Sequence, residues 1–214
     1  IKIINKDTNY NFKKSENHYS LMASHHVLAN IMCQLKNLAG SLFKISNDIK
    51  ILSSGPRAGI YELLIPQNEP GSSIMPGKVN PTQCESLSMI CTQIMGLEYA
   101  VSIANCSGTL QMNEYKPLIS FNLIKSIKLL SEGLINFKDK LVIGMKPNLK
   151  SIKINLESSL MLVTALVPEI GYEKAAEIAN LAFKESINLK EATLKLGYLN
   201  EEKFNEIIKI DNMV

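Results

Sequence analysis

The sequence predicts an all-α protein, a bundle of long helices followed by a small helical domain at the carboxyl end. Three observations predict it. Leu28, Ile31, Leu35, Leu38, Leu42, Ile45, Ile49 and Leu52 recur at alternating steps of three and four, a seam of period 3.5. Two later segments of helical period are each opened by a proline, Pro81 and Pro117. Strand signatures are nearly absent, apart from a short pair expected within residues 59–66.

Residues 1–19 are polar, rich in Asn and Lys and without period, which predicts irregular chain. One continuous helix is expected from Ser20 to Ser53; at 1.5 Å per residue it would run about 50 Å, a length suited to a bundle. Ser54-Gly55-Pro56-Arg57-Ala58-Gly59 ends it, and the chain as far as Gly77 reads as a long loop. Asn80-Pro81 reads as an N-cap followed by proline at the first helical position, opening a second helix with Leu87, Ile90, Ile94, Leu97 and Val101 apolar. After a turn around Cys106-Ser107-Gly108, Pro117 opens a third, reaching Phe137, with Leu123, Ile127, Leu130 and Leu134 on one face. Gly144 to Asn148 marks a boundary. Residues 1–145 form the bundle part and include the loop 69–81; residues 146–214 form the small helical domain, with short helices before Val167, from Tyr172 to Ser186, near Leu189 to Leu196 and from Asn200 to Lys209.

Composition narrows the function. With 46% hydrophobic and 20% charged residues, the 214-residue chain is that of a folded protein. The net charge of +3 is spread over lysines without a block of five, which argues against a nucleic-acid partner. The longest apolar run, Leu160 to Val167, falls far short of the ~20 residues that cross a bilayer, so a soluble protein without a membrane span is expected. Cys33, Cys84, Cys91 and Cys106 lack paired spacing and read as buried thiols of a reducing compartment, indicating neither zinc nor disulfides. His18, His25 and His26 read as structural, because neighbours at i and i+1 face different ways. The sequence opens at Ile1 without methionine or leader, which predicts a truncated start.

The informative segment is Glu69-Pro70-Gly71-Ser72-Ser73-Ile74-Met75-Pro76-Gly77-Lys78-Val79-Asn80-Pro81. It places two hydroxyls and a cation on a glycine-punctuated loop that runs into a helix. Unpaired N–H groups at the helix start, the helix dipole and the Lys78 charge together favour an anion such as a carboxylate. A phosphate-binding P-loop does not fit. Five residues rather than four separate Gly71 from Gly77-Lys78, and Val79 stands where Ser or Thr should hold magnesium. A solvated turn remains the competing reading for a loop of this composition.

The order Gly71-Ser72-Ser73-Ile74-Met75-Pro76-Gly77-Lys78-Val79-Asn80 resembles, residue for residue, the signature loop of the fumarase/aspartase superfamily. Thr82-Gln83-Cys84-Glu85 after it is similar to class II fumarases, whereas aspartases generally place apolar and proline residues there. The likeness extends through Ser54-Gly55-Pro56-Arg57, through Leu160 to Leu166 and through Gly171-Tyr172-Glu173-Lys174-Ala175-Ala176, covering nearly everything from Tyr19 to Val214. The resemblance implies a lyase of the tricarboxylic acid cycle, a fumarate hydratase that interconverts fumarate and L-malate, with no metal and no organic cofactor. It also implies a homotetramer in which the long helices of four subunits form a central bundle, in the cytoplasm or, in a eukaryote, the mitochondrial matrix.

Family likeness assigns the catalytic base to Ser72. Ser73, Lys78, Val79 and Asn80 are then expected to bind substrate, Lys78 and Asn80 holding a carboxylate; Glu85 would orient Lys78 or a water, and Gly71 and Gly77 would give the backbone its freedom. A serine hydroxyl is far too weak an acid to act as a base unless surrounding donors favour its anion. Arg57 reads as a loop anchor paired with a carboxylate such as Glu62 or Glu69, with a substrate-facing role as the alternative.

Some positions depart from the pattern. Tyr61 stands where a glycine is expected, Lys14 where a threonine is, and His18 and His26 where lysine and aspartate are usual. The family's site is assembled from three separated stretches on different subunits, and this chain carries the last of them; the Thr-His stretch is absent. Alone, it is expected to be inactive and to need an upstream half. The alternatives are an aspartate ammonia-lyase or other superfamily lyase, and a non-catalytic helical module that only assembles.

Overall fold

Three long helices dominate the first of two units in the computed structural model, which describes residues 1–209. That unit comprises Ile1–Ser53 and Ile65–Lys146; the second comprises Ser54–Leu64 and the chain from Pro147 onward. The helices of the first unit are α1 (Lys2–Thr8), α2 (His18–Ala23), α3 (His26–Leu52), α4 (Thr82–Cys106) and α5 (Lys116–Lys140).

Helix α4 is the central member, packed against both α3 and α5. Its buried residues Cys84, Leu87, Cys91, Ile94, Glu98, Val101 and Ala104 recur at three and four and form a stripe along the whole helix. Each fully buried Leu, Ile or Val here contributes roughly 1.5–3 kcal/mol. Cross-helix contacts fix the directions. The Ser46 hydroxyl of α3 donates to the Cys84 carbonyl near the start of α4, and Lys36 pairs with Glu98 further along at 3.3 Å, so α3 and α4 are antiparallel. Ile90 lies against Gly133, and Asn136 donates to Gln83, so α4 and α5 are antiparallel too.

Several expectations need correction. Residues 1–19 are not all irregular, since α1 occupies Lys2–Thr8. The expected single helix from Ser20 is two: Ser24 is extended (φ −133°, ψ 138°), and α3 starts at His26. The break has a tertiary cause. His25 is buried, with Nε2 2.9 Å from the Asn113 carbonyl, a contact that an unbroken helix would carry elsewhere. The second helix begins at Thr82 with Pro81 as its cap, because the Asn80 side chain is engaged by the loop instead. Cys84 and Cys91 are buried, but Cys33 is half-buried and Cys106 exposed. By length and composition alone α4 is apolar enough to cross a bilayer, which the longest unbroken apolar run did not reveal. Its buried stripe is that of a core helix.

The seam of α3 also divides differently. The residues it buries within this chain are Met32, Ala39, Ser46 and Ile49, whereas Ile31, Leu38 and Ile45 stay 44%, 45% and 44% exposed. Two stripes, each of period seven, therefore run side by side, and only one is covered by the chain itself.

Asn113, just before α5, was not singled out by the sequence. It is buried and donates through Nδ2 to the carbonyls of Ala104 and Ser107, each at 2.9 Å; its N–H donates to the Met22 carbonyl and its Oδ1 accepts from Tyr115 N–H. One residue thus ties α2, through its backbone, and the end of α4, through its side chain, to the start of α5. Asn113→Ala is expected to destabilise the folded chain by about 3 kcal/mol, since several buried carbonyls lose their donor. Urea unfolding checks this, and an unchanged midpoint would refute it.

In the second unit, strand β1 (Leu63–Leu64) exists, but its partner is β2 (Lys146–Pro147) rather than another segment of residues 59–66. Asn148 N–H donates to the Glu62 carbonyl and its Nδ2 to the Tyr61 carbonyl. Tyr61 takes φ +51°, the left-handed region where glycine was expected, and its ring lies against Gly55. The helices are α6 (Leu149–Glu157), α7 (Val167–Ile170), α8 (Tyr172–Glu185), α9 (Leu189–Leu196) and α10 (Glu201–Ile207). Leu166, Ile178, Ala182, Leu189, Ala192 and Phe204 form their core. Asn188 caps α9 in a reciprocal capping box with Glu191.

Candidate active site

Two turns in series build the loop before α4. The Ser72 hydroxyl oxygen accepts from Ile74 N–H at 3.1 Å and from Met75 N–H at 3.2 Å, the turn that a serine side chain makes with the backbone following it. Lys78 N–H then donates to the Met75 carbonyl at 3.3 Å, enclosing Pro76 and Gly77. Gly77 has φ +77°. Proline followed by a glycine of positive φ is the signature of a type II turn, so the sequence dictates this bend directly.

The two ends of the loop meet at a neck. Asn80 Nδ2 donates to the Gly71 carbonyl at 2.5 Å. A Cβ on Gly71 would lie 1.9 Å from the Lys78 carbonyl oxygen, so only glycine lets the strands of the neck approach this closely. Beyond the neck, residues 73–79 are exposed, with Ile74 at 85%, while Ser72 is half-buried.

The structure thus brings Ser72 together with two N–H donors, and brings Gly71, Lys78 and Asn80 together at the neck. Ser73, Lys78 and Val79 present their side chains to solvent. Glu85 lies in the first turn of α4, and among the described residues no ion pair joins it to Lys78. No ion pair of Arg57 is found among the described residues, and Glu62 accepts instead from Asn155 Nδ2 at 3.0 Å. The start of α4 lacks a side-chain cap, which leaves N–H groups of its first turn available to an anion. Cys84, in that turn, is no competing nucleophile: burial pushes its thiol up, against the pull of the Ser46 hydroxyl, and keeps it protonated at neutral pH.

Sequence reasoning missed Asn68 and Asn136. Asn68 Nδ2 donates to the Lys140 carbonyl at 2.8 Å, and Asn136 Nδ2 to Gln83 Oε1 at 2.5 Å. Both asparagines are exposed polar residues without motif context, and only the fold reveals their partners. Among the described residues there is no cluster of His, Cys, Asp and Glu able to hold a metal.

Comparison with known proteins gives matches over almost all of the chain. A family model described as lyase matches residues 2–96, and one described as the fumarase C C-terminus matches residues 162–214. The fumarate hydratase class II of Prochlorococcus marinus subsp. pastoris is 72% identical over 214 residues, covering 100% of this chain and 46% of that protein. That of Bacillus subtilis is 52% identical over 211 residues, with 99% and 46% covered. Among solved structures, a class II fumarase from Schistosoma mansoni superposes with a TM-score of 0.86 at 41% identity, covering 97% of this chain and 45% of that one. The chain therefore spans about half the length of the curated relatives it matches.

Proposed function

Because this chain belongs to the family of class II fumarate hydratases, we propose that its loop 69–81 supplies the proton-abstracting residue of an enzyme that reversibly adds water to fumarate to give L-malate. The observation that carries this reading is the convergence of the Ile74 and Met75 N–H groups on the Ser72 hydroxyl. In the dehydration direction, Ser72 as its anion takes the proton from the malate carbon beside a carboxylate. The electron pair left behind spreads into that carboxylate, and the hydroxyl of the neighbouring carbon departs as water on taking a proton from an acid carried by one of the segments that complete the site. The intermediate, whose aci-carboxylate alone carries two negative charges beside the second carboxylate, needs fixed positive charge and dipoles in a dry site. Lys78 and the uncapped start of α4 are suited to hold its carboxylates, with Ser73 and the backbone at Val79 as further donors.

Asn80 supports the site through its neck bond. Glu85 is left to order a water or a group supplied by another segment. The segments that complete the site correspond to the part of the relatives that this chain does not span. Closure over substrate would move residues 72–77, exclude water and strengthen each charge interaction.

The partner in this reading is three further copies of the same chain. The exposed Ile31, Leu38 and Ile45 stripe on α3 supports it, since a period of seven is what a helix packed along another helix needs. Leu38→Asp is expected to reduce the assembly to smaller species in sedimentation equilibrium; an unchanged mass would exclude this stripe from the interface.

The decisive experiment replaces the matched 46% of the Prochlorococcus marinus fumarate hydratase by this chain. Fumarate consumption followed by ultraviolet absorbance, without ammonia, is the expected result. A strict requirement for ammonia would point to an aspartate ammonia-lyase instead. An assembled but inert chimera would leave the chain a module for oligomerisation only.

A further inference from the structure

We infer that the carboxyl-terminal end of α5 is the fixed anchor of the loop, and that Asn68 and Asn136 are positioning residues for Ser72; this rests on the reading of the loop given above. The contacts lie on both sides of the loop. Ahead of it, Asn68 Nδ2 donates at 2.8 Å to the carbonyl of Lys140, the last residue of α5. Carbonyls in that turn have no partner within the helix, so the bond satisfies a group that the helix itself leaves open. Also ahead of it, Pro66 packs on Gly144, where a Cβ would come within 2.5 Å of the proline ring. After it, Asn136 Nδ2 donates to Gln83 in the first turn of α4.

A nine-residue stretch, Asn136 to Gly144, therefore touches the chain before the loop at Pro66 and Asn68 and after it at Gln83. Inside these anchors lies the neck of Gly71, Lys78 and Asn80. What remains free to move is Ser72 to Gly77, whose residues 73–77 are exposed. Holding the base of a mobile segment on a rigid helix confines its motion to a hinge at the neck, and a reacting hydroxyl returned to the same place each cycle gains the advantage of orientation. Neither asparagine touches the reacting atoms; both act through the backbone that carries Ser72.

Two variants test this. Asn68→Asp is nearly isosteric but cannot donate to the Lys140 carbonyl, and Asn136→Ala removes the donor to Gln83. Both positions are exposed, so the helices should fold as before. In the 214-residue chain, trypsin is expected to cut the Lys78–Val79 bond at least fivefold faster in each variant, with unchanged helical circular dichroism. In the chimera described above, each should lower kcat about tenfold while KM stays within threefold, and Asn68→Gln, which keeps a donor, should recover part of the loss. Unchanged cleavage overturns the inference, as does faster cleavage with unaltered kcat. The cleavage measurement needs no catalysis, so it decides the anchoring even if the chimera proves inactive and the functional reading fails.

Discussion

Gly71→Ala should reduce turnover about a hundredfold or more while leaving the helices intact. The new Cβ would sit 1.9 Å from the Lys78 carbonyl oxygen and 2.6 Å from its carbon, whereas real Cβ contacts stay above 3.0 Å. The obstacle is backbone, which cannot rotate aside as a side chain can. The neck must open by at least the difference, 3.0 − 1.9 = 1.1 Å, and the Asn80 bond across it, at 2.5 Å, would be lost with that movement. A displacement of roughly 1 Å in a positioned catalytic group costs about a hundredfold, or ~2.7 kcal/mol of barrier. Gly77→Ala provides the contrast. Nothing lies within 4 Å of a Cβ there, and the only penalty is the positive φ of +77°, about 1 kcal/mol. Steady-state kinetics of both variants in the chimera, with circular dichroism of the chain, would measure this. Activity of Gly71→Ala equal to that of Gly77→Ala would show that the neck does not govern the position of Ser72.

The contrast between these glycines shows what a sequence makes legible. Gly77 is readable because its meaning is local: proline then glycine specifies a turn whatever surrounds it. Gly71 is readable only as a member of a motif, since its reason is a carbonyl seven residues away. The long helices were legible for the same local reason, their period being written in Leu87, Ile94 and Val101 as in Leu123 and Leu130. The break at Ser24 was not, because it depends on His25 reaching Asn113, 88 residues later. The seam of α3 was found, yet which of its neighbouring stripes meets α4 could not be told from period alone; Met32, Ala39 and Ser46 share the period of Ile31, Leu38 and Ile45, one residue out of phase. Asn68, Asn113 and Asn136 were invisible for a related reason. Asparagine is common in loops such as those of Asn68 and Asn113 and on exposed helix faces such as that of Asn136, and its value here lies in carbonyls and amides that only the fold brings near.

Tyr61 illustrates a departure whose consequence is physical rather than lexical. A glycine there would adopt φ +51° freely, whereas tyrosine carries a cost of about 1 kcal/mol in that region. The conformation persists because the Tyr61 carbonyl is held by Asn148 Nδ2 at 3.0 Å and the ring packs on Gly55. The backbone that a glycine would have permitted is thus retained by a bulkier residue, with surrounding contacts offsetting the strain.

Ser72→Ala should lower kcat by 10²- to 10⁴-fold, about 3 to 5 kcal/mol of barrier, the range that loss of a positioned general base produces. The hydroxyl has two separable functions in this structure. It accepts the Ile74 and Met75 N–H groups and so shapes the first turn of the loop, and it is the group on which those dipoles favour negative charge. Alanine removes both functions at once. Asn at this position separates them: its carboxamide oxygen can accept the same two N–H groups in the analogous turn, but an amide does not take up a proton at neutral pH. If Ser72 is the base, Ser72→Asn should be as slow as Ser72→Ala although its loop resists trypsin like the unmodified chain. Recovery of turnover by Ser72→Asn to within tenfold would reduce Ser72 to a turn residue and transfer proton abstraction to another group. The two dipoles make the first outcome the expected one, because a hydroxyl that already receives two N–H donors would, on losing its proton, gain strength in both bonds without any rearrangement of the loop.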